Sequence, residues 1–120
     1  MSLQDRDDLA MLALLREAAL GRAFSPPADV YSTDKKVVIT VELPGVAENA
    51  VAVEARDSTL LVHGQRSFPG QGGDGVDYFR LERTYGEFQC QVALPGGADA
   101  ARRKVTFEDG VLTVVIPRGQ

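Results

Sequence analysis

The two residues best suited to chemistry in this sequence are its one histidine, His63, and its one cysteine, Cys90. His63 lies in the run TLLVHG, where it alternates with Leu60 and Val62, so a strand there turns its ring away from those core candidates and toward solvent. No local signature pairs it with a serine or cysteine nucleophile. A catalytic triad is therefore not supported. A single cysteine also excludes an internal disulfide and disfavours a thiolate metal site.

A glycine-rich stretch at 70–75 is the other feature with possible chemistry, because such loops can wrap a phosphate group. No Lys-Ser or Lys-Thr pair follows it, and no helical pattern begins there. The carboxylate pairs Glu82/Glu87 and Glu108/Asp109 have arginine or lysine close by, which is typical of solvated surface charge. The sequence predicts no catalytic residue, no metal site and no cofactor, and we expect the protein not to be an enzyme.

Length and charge limit the number of domains and the kinds of partner that the protein can have. The 120 residues are enough for one domain with a short appendage, and 12 glycines with 6 prolines indicate many turns. A net charge of −4 repels nucleic-acid phosphates and anionic membranes. The start is acidic where a signal peptide is basic, and no apolar run is long enough to cross a bilayer. We expect no nucleic-acid partner, no membrane span and a cytoplasmic location.

The segment 1–27 is predicted to be a helical arm followed by a linker. Residues 5–20 are good helix formers without glycine or proline, and FSPPA then breaks the helix. The apolar side chains of this segment, called the arm set below, are Leu9, Met11, Leu12, Leu14, Leu15, Leu20 and Phe24. Leaving its leucines and methionine in water forfeits on the order of 10 kcal/mol, so they should pack on the domain, another subunit or another protein.

From residue 28 the pattern becomes that of an all-β antiparallel sandwich. The runs rich in β-branched or aromatic residues, each bounded by turn formers, are DVYST, KVVITVEL, AVAVEA, TLLVHG, FQCQVAL, KVTF and VLTVVI. Short strands without helices between them favour two packed sheets. Pro44-Gly45 predicts the end of a strand, and Asp109-Gly110 predicts a tight hairpin turn. The stretch 67–79 is longer than a hairpin needs, and loops of that length usually have a function or are disordered.

Three segments in fixed order carry a family resemblance: VELPGV at 41–46, RLERTYGEF at 80–88 and EDGVLTVVIP at 108–117. The connection VALPGGADAARRKVTFEDG adds to it. Together they resemble the α-crystallin domain of the small heat-shock proteins, bacterial and plant type, over roughly residues 28–117. The resemblance implies an immunoglobulin-like sandwich. The glycines and prolines of these motifs are expected to hold the scaffold.

The resemblance implies an ATP-independent holdase, which binds partly unfolded client proteins and prevents their aggregation as dimers or assemblies of dimers. In that family the arm assists oligomerisation and client capture, so we predict both roles for the arm set. A strand in the long loop crosses to the partner's sheet in the resembled type. The candidates for this crossover are Tyr78, Phe79, Arg80 and Arg83.

The resembled family also has an apolar groove at a sheet edge, which a tail bearing Ile-x-Ile or Ile-x-Val fills from a neighbouring dimer. The candidates for lining it are Val51, Val53, Val105 and Phe107. Residues 118–120 are expected to be a truncated or very short tail, so we expect the plug to be absent and the groove open. Cys90 stands where the family commonly has arginine, so an interface ion pair does not carry over; a small apolar thiol is the simplest interpretation and a redox switch is the other.

Two further functions are weighed against the holdase. One is a sandwich-type cochaperone or adaptor that binds a folded chaperone, which the RLERTYGEF run and the long loop disfavour. The other is an enzyme, for which the sequence offers no constellation of residues.

Overall fold

A computed structural model describes residues 23–68, 79–80 and 82–119, and its regular structure consists of β-strands with two short 3₁₀ turns. The strands are β1 (Ala28–Ser32), β2 (Lys36–Glu42), β3 (Val51–Arg56), β4 (Thr59–Arg66), β5 (Gly86–Ala93), β6 (Lys104–Glu108) and β7 (Val111–Pro117). The 3₁₀ turns are Glu48–Ala50 and Ala100–Arg102. All the predicted strands are present, with ends shifted by one or two residues. The predicted helix at 5–20 and most of the 67–79 stretch lie outside the described residues.

The strands form two antiparallel sheets. One has four strands in the order β1-β2-β7-β6, and the other has three in the order β3-β4-β5. The sheets do not follow the chain order, because β2 pairs with β7 rather than with β3. The all-β sandwich that the sequence predicts is confirmed. No helix among the described residues is long and apolar enough to cross a membrane.

The core lies between the two sheets and is built by alternation along the strands. On β5 every second residue, from Gly86 to Val92, is buried, and the residues between them are exposed. The fully buried side chains come from both sheets: Val37, Ile39, Val41, Leu43, Leu60, Val62, Phe88, Val114 and Ile116. Each contributes about 1.5–3 kcal/mol on full burial, so the interlocking of these two inner faces is the main source of stability.

Two of the predicted turns meet in space. Gly45 has φ 80° in the turn that follows β2, where the Val46 amide donates to the Leu43 carbonyl at 3.2 Å. Asp109 and Gly110 both have positive φ, 53° and 74°, as the two-residue turn between β6 and β7 requires. The Leu43 amide donates to the Gly110 carbonyl at 2.7 Å. The Pro44-Gly45 turn and the Asp109-Gly110 turn, more than sixty positions apart in the chain, are therefore held together by a backbone hydrogen bond.

Both ends of the described chain are attached to the sandwich. The amide of Phe24 donates to the Glu87 carbonyl at 3.2 Å, and the Gln89 amide donates to the Phe24 carbonyl at 3.1 Å, so this residue adds a parallel bridge to the edge of β5. Its ring lies 5.7 Å from that of Phe88. After Pro117, the Arg118 amide donates to the Lys35 carbonyl at 2.8 Å. Hydrogen bonding to the domain thus extends beyond the 28–117 range that the resemblance covers.

Gly64 is the point of closest approach inside the sandwich. A Cβ atom there would lie 2.1 Å from the Ala50 carbonyl oxygen and 2.8 Å from Cζ of Phe88, which sits opposite it on β5. Real Cβ atoms do not come so close to a carbonyl oxygen. A side chain at Gly64 would therefore force the backbone at Ala50 or the Phe88 ring to move.

Replacing Gly64 with alanine should therefore lower the free energy of unfolding by about 1–3 kcal/mol, or prevent folding. Urea unfolding followed by circular dichroism, at one fixed protein concentration, measures this. Gly96→Ala is the matched control, since a Cβ atom there meets nothing within 4 Å, and its effect should stay within about 0.5 kcal/mol. Equal effects of the two substitutions would contradict the packing described for Gly64.

Candidate functional site

The four residues predicted to line a groove come together at one side of the sandwich. Val51 and Val53 of β3 face Val105 and Phe107 of β6 across a cleft of about 290 Å³. The remaining lining residues are Glu48, Thr106 and Leu112. The cleft is therefore mainly aliphatic and aromatic, with one carboxylate among its lining residues.

The cleft is open because it lies between two edge strands. Val105 pairs with Val114, and Phe107 pairs with Leu112. Because Val114 and Leu112 are almost completely buried, Val105 and Phe107 beside them also belong to the inner face of the sheet. Val105 is nevertheless 43% exposed. In the part of the chain that the structure describes, no strand lies beyond β3 or β6. Inner-facing apolar side chains are therefore left accessible along this side.

Arg103 connects β3, one wall of the cleft, to the 3₁₀ turn Ala100–Arg102, which precedes the other wall, β6. Its Nη2 donates to the Val53 carbonyl at 3.2 Å, and its Nη1 donates to the Ala100 carbonyl at 2.8 Å. The Val53 carbonyl belongs to an edge strand, where a carbonyl otherwise depends on water. Sequence reasoning missed this residue, because nothing in the run ADAARRK distinguishes Arg103 from Arg102.

A second open edge lies on the opposite side, at β1. All five residues of β1 are exposed, including Val30 at 48% and Tyr31 at 56%. Within the described residues β1 pairs on one side only, with β2. An edge strand with free amides and carbonyls and exposed apolar side chains is a template for pairing with another chain.

The predicted crossover residues that the structure describes lie on the surface. Phe79 is 98% exposed. Arg80 forms an ion pair with Glu82 at 3.0 Å, and the Arg83 guanidinium lies 5.5 Å from the centroid of the Tyr85 ring. Tyr78 lies outside the described residues. So does the arm set apart from Phe24, whose packing on Phe88 and β5 leaves only part of its ring for other contacts.

His63 and Cys90 lie on opposite faces of the three-stranded sheet and do not form a catalytic pair. Cys90 stands opposite Val62 and is buried in the core, and burial raises the pKa of its thiol. His63 is on the outer face, where its Nε2 pairs with a carboxylate oxygen of Glu54. In the described ranges, no group of three or more histidine, cysteine, aspartate or glutamate residues is arranged to hold a metal ion.

The described residues form a sandwich with two open apolar edges, and comparison with known proteins gives its family. The model of the Hsp20/alpha crystallin family matches residues 29–120, so the chain belongs to the small heat-shock proteins. Members of this family are chaperones.

Individual relatives agree with this assignment. A 19.0 kDa class II heat shock protein of Oryza sativa is 33% identical over 82% of this chain and 69% of its own length. A 17.7 kDa class II heat shock protein of Arabidopsis thaliana is also 33% identical, over 77% of this chain and 60% of its own length. This chain thus spans 60–69% of the length of these two plant proteins.

Solved structures share the fold. Heat shock protein 16.0 from Schizosaccharomyces pombe superposes with a TM-score of 0.74 at 30% identity, covering 79% of this chain and 87% of that one. A small heat-shock protein from Xylella fastidiosa gives 0.72 at 28% identity, covering 81% and 88%. The crystal structure of the Xylella protein reveals a distinct high order structure for that protein.

The buried thiol gives a test of the core. In the folded protein Cys90 should react with a thiol reagent at least about tenfold more slowly than in urea, because the reactive thiolate is both shielded and disfavoured. The absorbance of the Ellman reaction at neutral pH measures this. Equal rates in the two states would contradict the burial.

The same thiol predicts a dependence on pH. Burial raises the pKa of Cys90 in the folded state, so above an unfolded pKa of about 8.5 the unfolded state releases its proton first. The free energy of unfolding should therefore fall as the pH rises through this range, and Cys90→Ala should remove that part of the fall. An identical pH dependence in the variant would count against a buried neutral thiol.

Proposed function

We propose that this protein is an ATP-independent holdase, which binds partly unfolded proteins and keeps them from aggregating. Membership of the small heat-shock proteins supports a chaperone role, and the open cleft between β3 and β6 is the observation that carries the finer proposal. Partly unfolded proteins expose extended apolar segments. A cleft lined by valines and a phenylalanine offers such a segment side-chain pockets beside a strand edge.

The cleft suits reversible capture. An apolar side chain seated in it gains about 1.5–3 kcal/mol on full burial, while ordering the bound segment costs about 1–2 kcal/mol per residue. Two seated side chains leave only a small net gain, so a single cleft holds a client weakly. Several clefts in one assembly would act on the same aggregate, and linked weak sites bind more strongly than any one of them.

The proposal includes a homodimer as the working unit. The edge of β1, with exposed Val30 and Tyr31, is the surface on which a strand from the partner's 67–79 stretch would pair. Phe79 is almost fully exposed where that stretch returns to the domain, and a contact with the partner would cover it. Higher assemblies, and a part for the arm set in forming them and in holding clients, belong to the same proposal.

The cytoplasm is the location we propose for this activity. Cys90 is a buried free thiol in the core, and a single unpaired cysteine fits a reducing compartment.

An aggregation assay tests the holdase directly. At equimolar subunits and without ATP, the protein should suppress the light scattering of a heat-denaturing enzyme such as citrate synthase. Val105→Asp should weaken this suppression severalfold, because it places a charge among the apolar side chains of the cleft. Ala93→Asp, on an exposed position of β5, changes the net charge equally and should act like the unaltered protein. No suppression by the unaltered protein would refute the holdase, and equal activity of both variants would refute the cleft as its binding surface.

Light scattering after size-exclusion chromatography tests the dimer. Deleting residues 69–77 should convert dimers into monomers, since it removes the glycine-rich arm that would let Tyr78 and Phe79 reach the partner, while it leaves all seven strands of the sandwich. A circular dichroism spectrum of the deletion variant checks that the sandwich persists. An unchanged dimer mass in a folded deletion variant would contradict the crossover.

A further inference from the structure

Arg66, the last residue of β4, is the one buried charged residue in the described part of the chain. It is only 9% exposed, and its Nη1 donates to the Thr84 carbonyl at 3.0 Å. Its Nε is also buried and has no acceptor among the residues that the structure describes. Burial lowers the pKa of Arg66, because the charged guanidinium loses part of its hydration. A charge held in this way depends strongly on the few groups that contact it.

Phe24 covers one side of this guanidinium, since its ring centroid lies 5.0 Å from the Cζ atom of Arg66. The pairing of Phe24 with β5 stops at once on its C-terminal side. In a parallel ladder the next residue to pair would be Pro26, which has no N–H to donate to the Gln89 carbonyl. Within the described residues, two backbone hydrogen bonds and the ring contact with Phe88 hold Phe24 on β5. Local attachments of this size open while the rest of a domain stays folded.

The other partner of Arg66 lies at the base of the connection between β4 and β5. Thr84 lies just before the start of β5. Beside it, the Tyr85 ring meets the Phe68 ring edge-on, with centroids 5.2 Å apart, so the chain leaving β4 and the chain returning to β5 touch each other here. Arg66 thus contacts both Phe24, before the first strand, and the base of this connection.

The two contacts of Arg66 strengthen one another. Without the Phe24 ring, water would reach the guanidinium and compete with the Thr84 carbonyl as hydrogen-bond acceptor. Conversely, a guanidinium that stays on Thr84 keeps a cation against the Phe24 ring and favours its docking on β5. Loss of either contact should therefore weaken the other.

We propose that Arg66 is a conformational coupler, which links the docking of Phe24 on β5 to the attachment of the chain at Thr84. While Phe24 lies on β5, Arg66 holds the Thr84 carbonyl and keeps the base of the connection in place. When Phe24 is drawn away, this base loosens. The regulatory meaning rests on the proposed function, because a client or a second subunit that takes up the arm would loosen the connection that carries the proposed dimer contacts.

Limited digestion with trypsin tests the coupling, because trypsin cuts after Arg83, directly before Thr84. The full chain is digested briefly, and the rate of the first cut at each site is read from the masses of the products. Phe24→Ala should speed the cut after Arg83 at least about fivefold, since cleavage follows the population of the locally open state. The cut after Arg102, on the 3₁₀ turn before β6, is the internal control and should keep its rate. Tyr31→Ala, which removes an exposed ring from β1, is the matched variant and should leave both rates unchanged.

A second variant tests whether Arg66 transmits the effect. Arg66→Met keeps an unbranched stem but removes every donor, so it should itself speed the cut after Arg83, and adding Phe24→Ala should change the rate no further. A circular dichroism spectrum checks that each variant is folded, and Phe24→Ala alone decides the proposal if Arg66→Met does not fold.

Three results would overturn the coupling: an unchanged rate after Arg83 in Phe24→Ala, an equal rise after Arg102, or a full further rise in the double variant. No client and no dimer mass enters these measurements. Their outcome is therefore separate from that of the aggregation assay.

Discussion

The Phe88 ring can occupy the centre of the sandwich only because Gly64, opposite it on β4, has no side chain. The ring is only 2% exposed. A Cβ atom on Gly64 would lie 2.8 Å from its Cζ atom and 2.1 Å from the Ala50 carbonyl oxygen, so any side chain there would push the ring or this backbone away. The Phe24 ring packs on Phe88, and the Arg66 guanidinium lies over Phe24. Phe88 in the core, Phe24 before the first strand and the buried Arg66 therefore form one continuous line of contacts.

Some sheet edges form hydrogen bonds with other parts of the chain, while others have no neighbouring strand and are open to binding. On the three-stranded sheet, Phe24 bridges to the edge of β5 and Arg103 donates to the edge of β3. On the four-stranded sheet, β1 and β6 have no further strand beside them among the described residues. Exposed Val30, Tyr31 and Val105 lie on those two strands. Accessible edges of this kind suit the binding of other chains that we propose for this chaperone.

Much of this fold could be predicted from the sequence, because strand periodicity and turn chemistry are local signals. Alternation located all seven strands, and Asp109-Gly110 identified its hairpin, since both depend on residues within a few positions of each other. The four groove residues were brought together by a family resemblance rather than by any local pattern. Arg66 and Arg103 gave no signal, because each acts through a contact with residues distant in the chain. Phe24 was assigned to a linker because the SPP that follows it resembles a break, while its bridge to β5 depends on the tertiary fold.

Hydrogen exchange measured by mass spectrometry, with and without a heat-denatured client, shows where on the sandwich the client binds. Clients are proposed to bind along the cleft between β3 and β6 and to leave the paired central strands β2 and β7 unaffected. Amides in residues 51–56 and 104–108 should become protected when the client is present, and those in 37–41 should keep the slow exchange that they already have. Client binding that leaves the exchange of 51–56 and 104–108 unchanged would rule out the cleft as the client-binding surface.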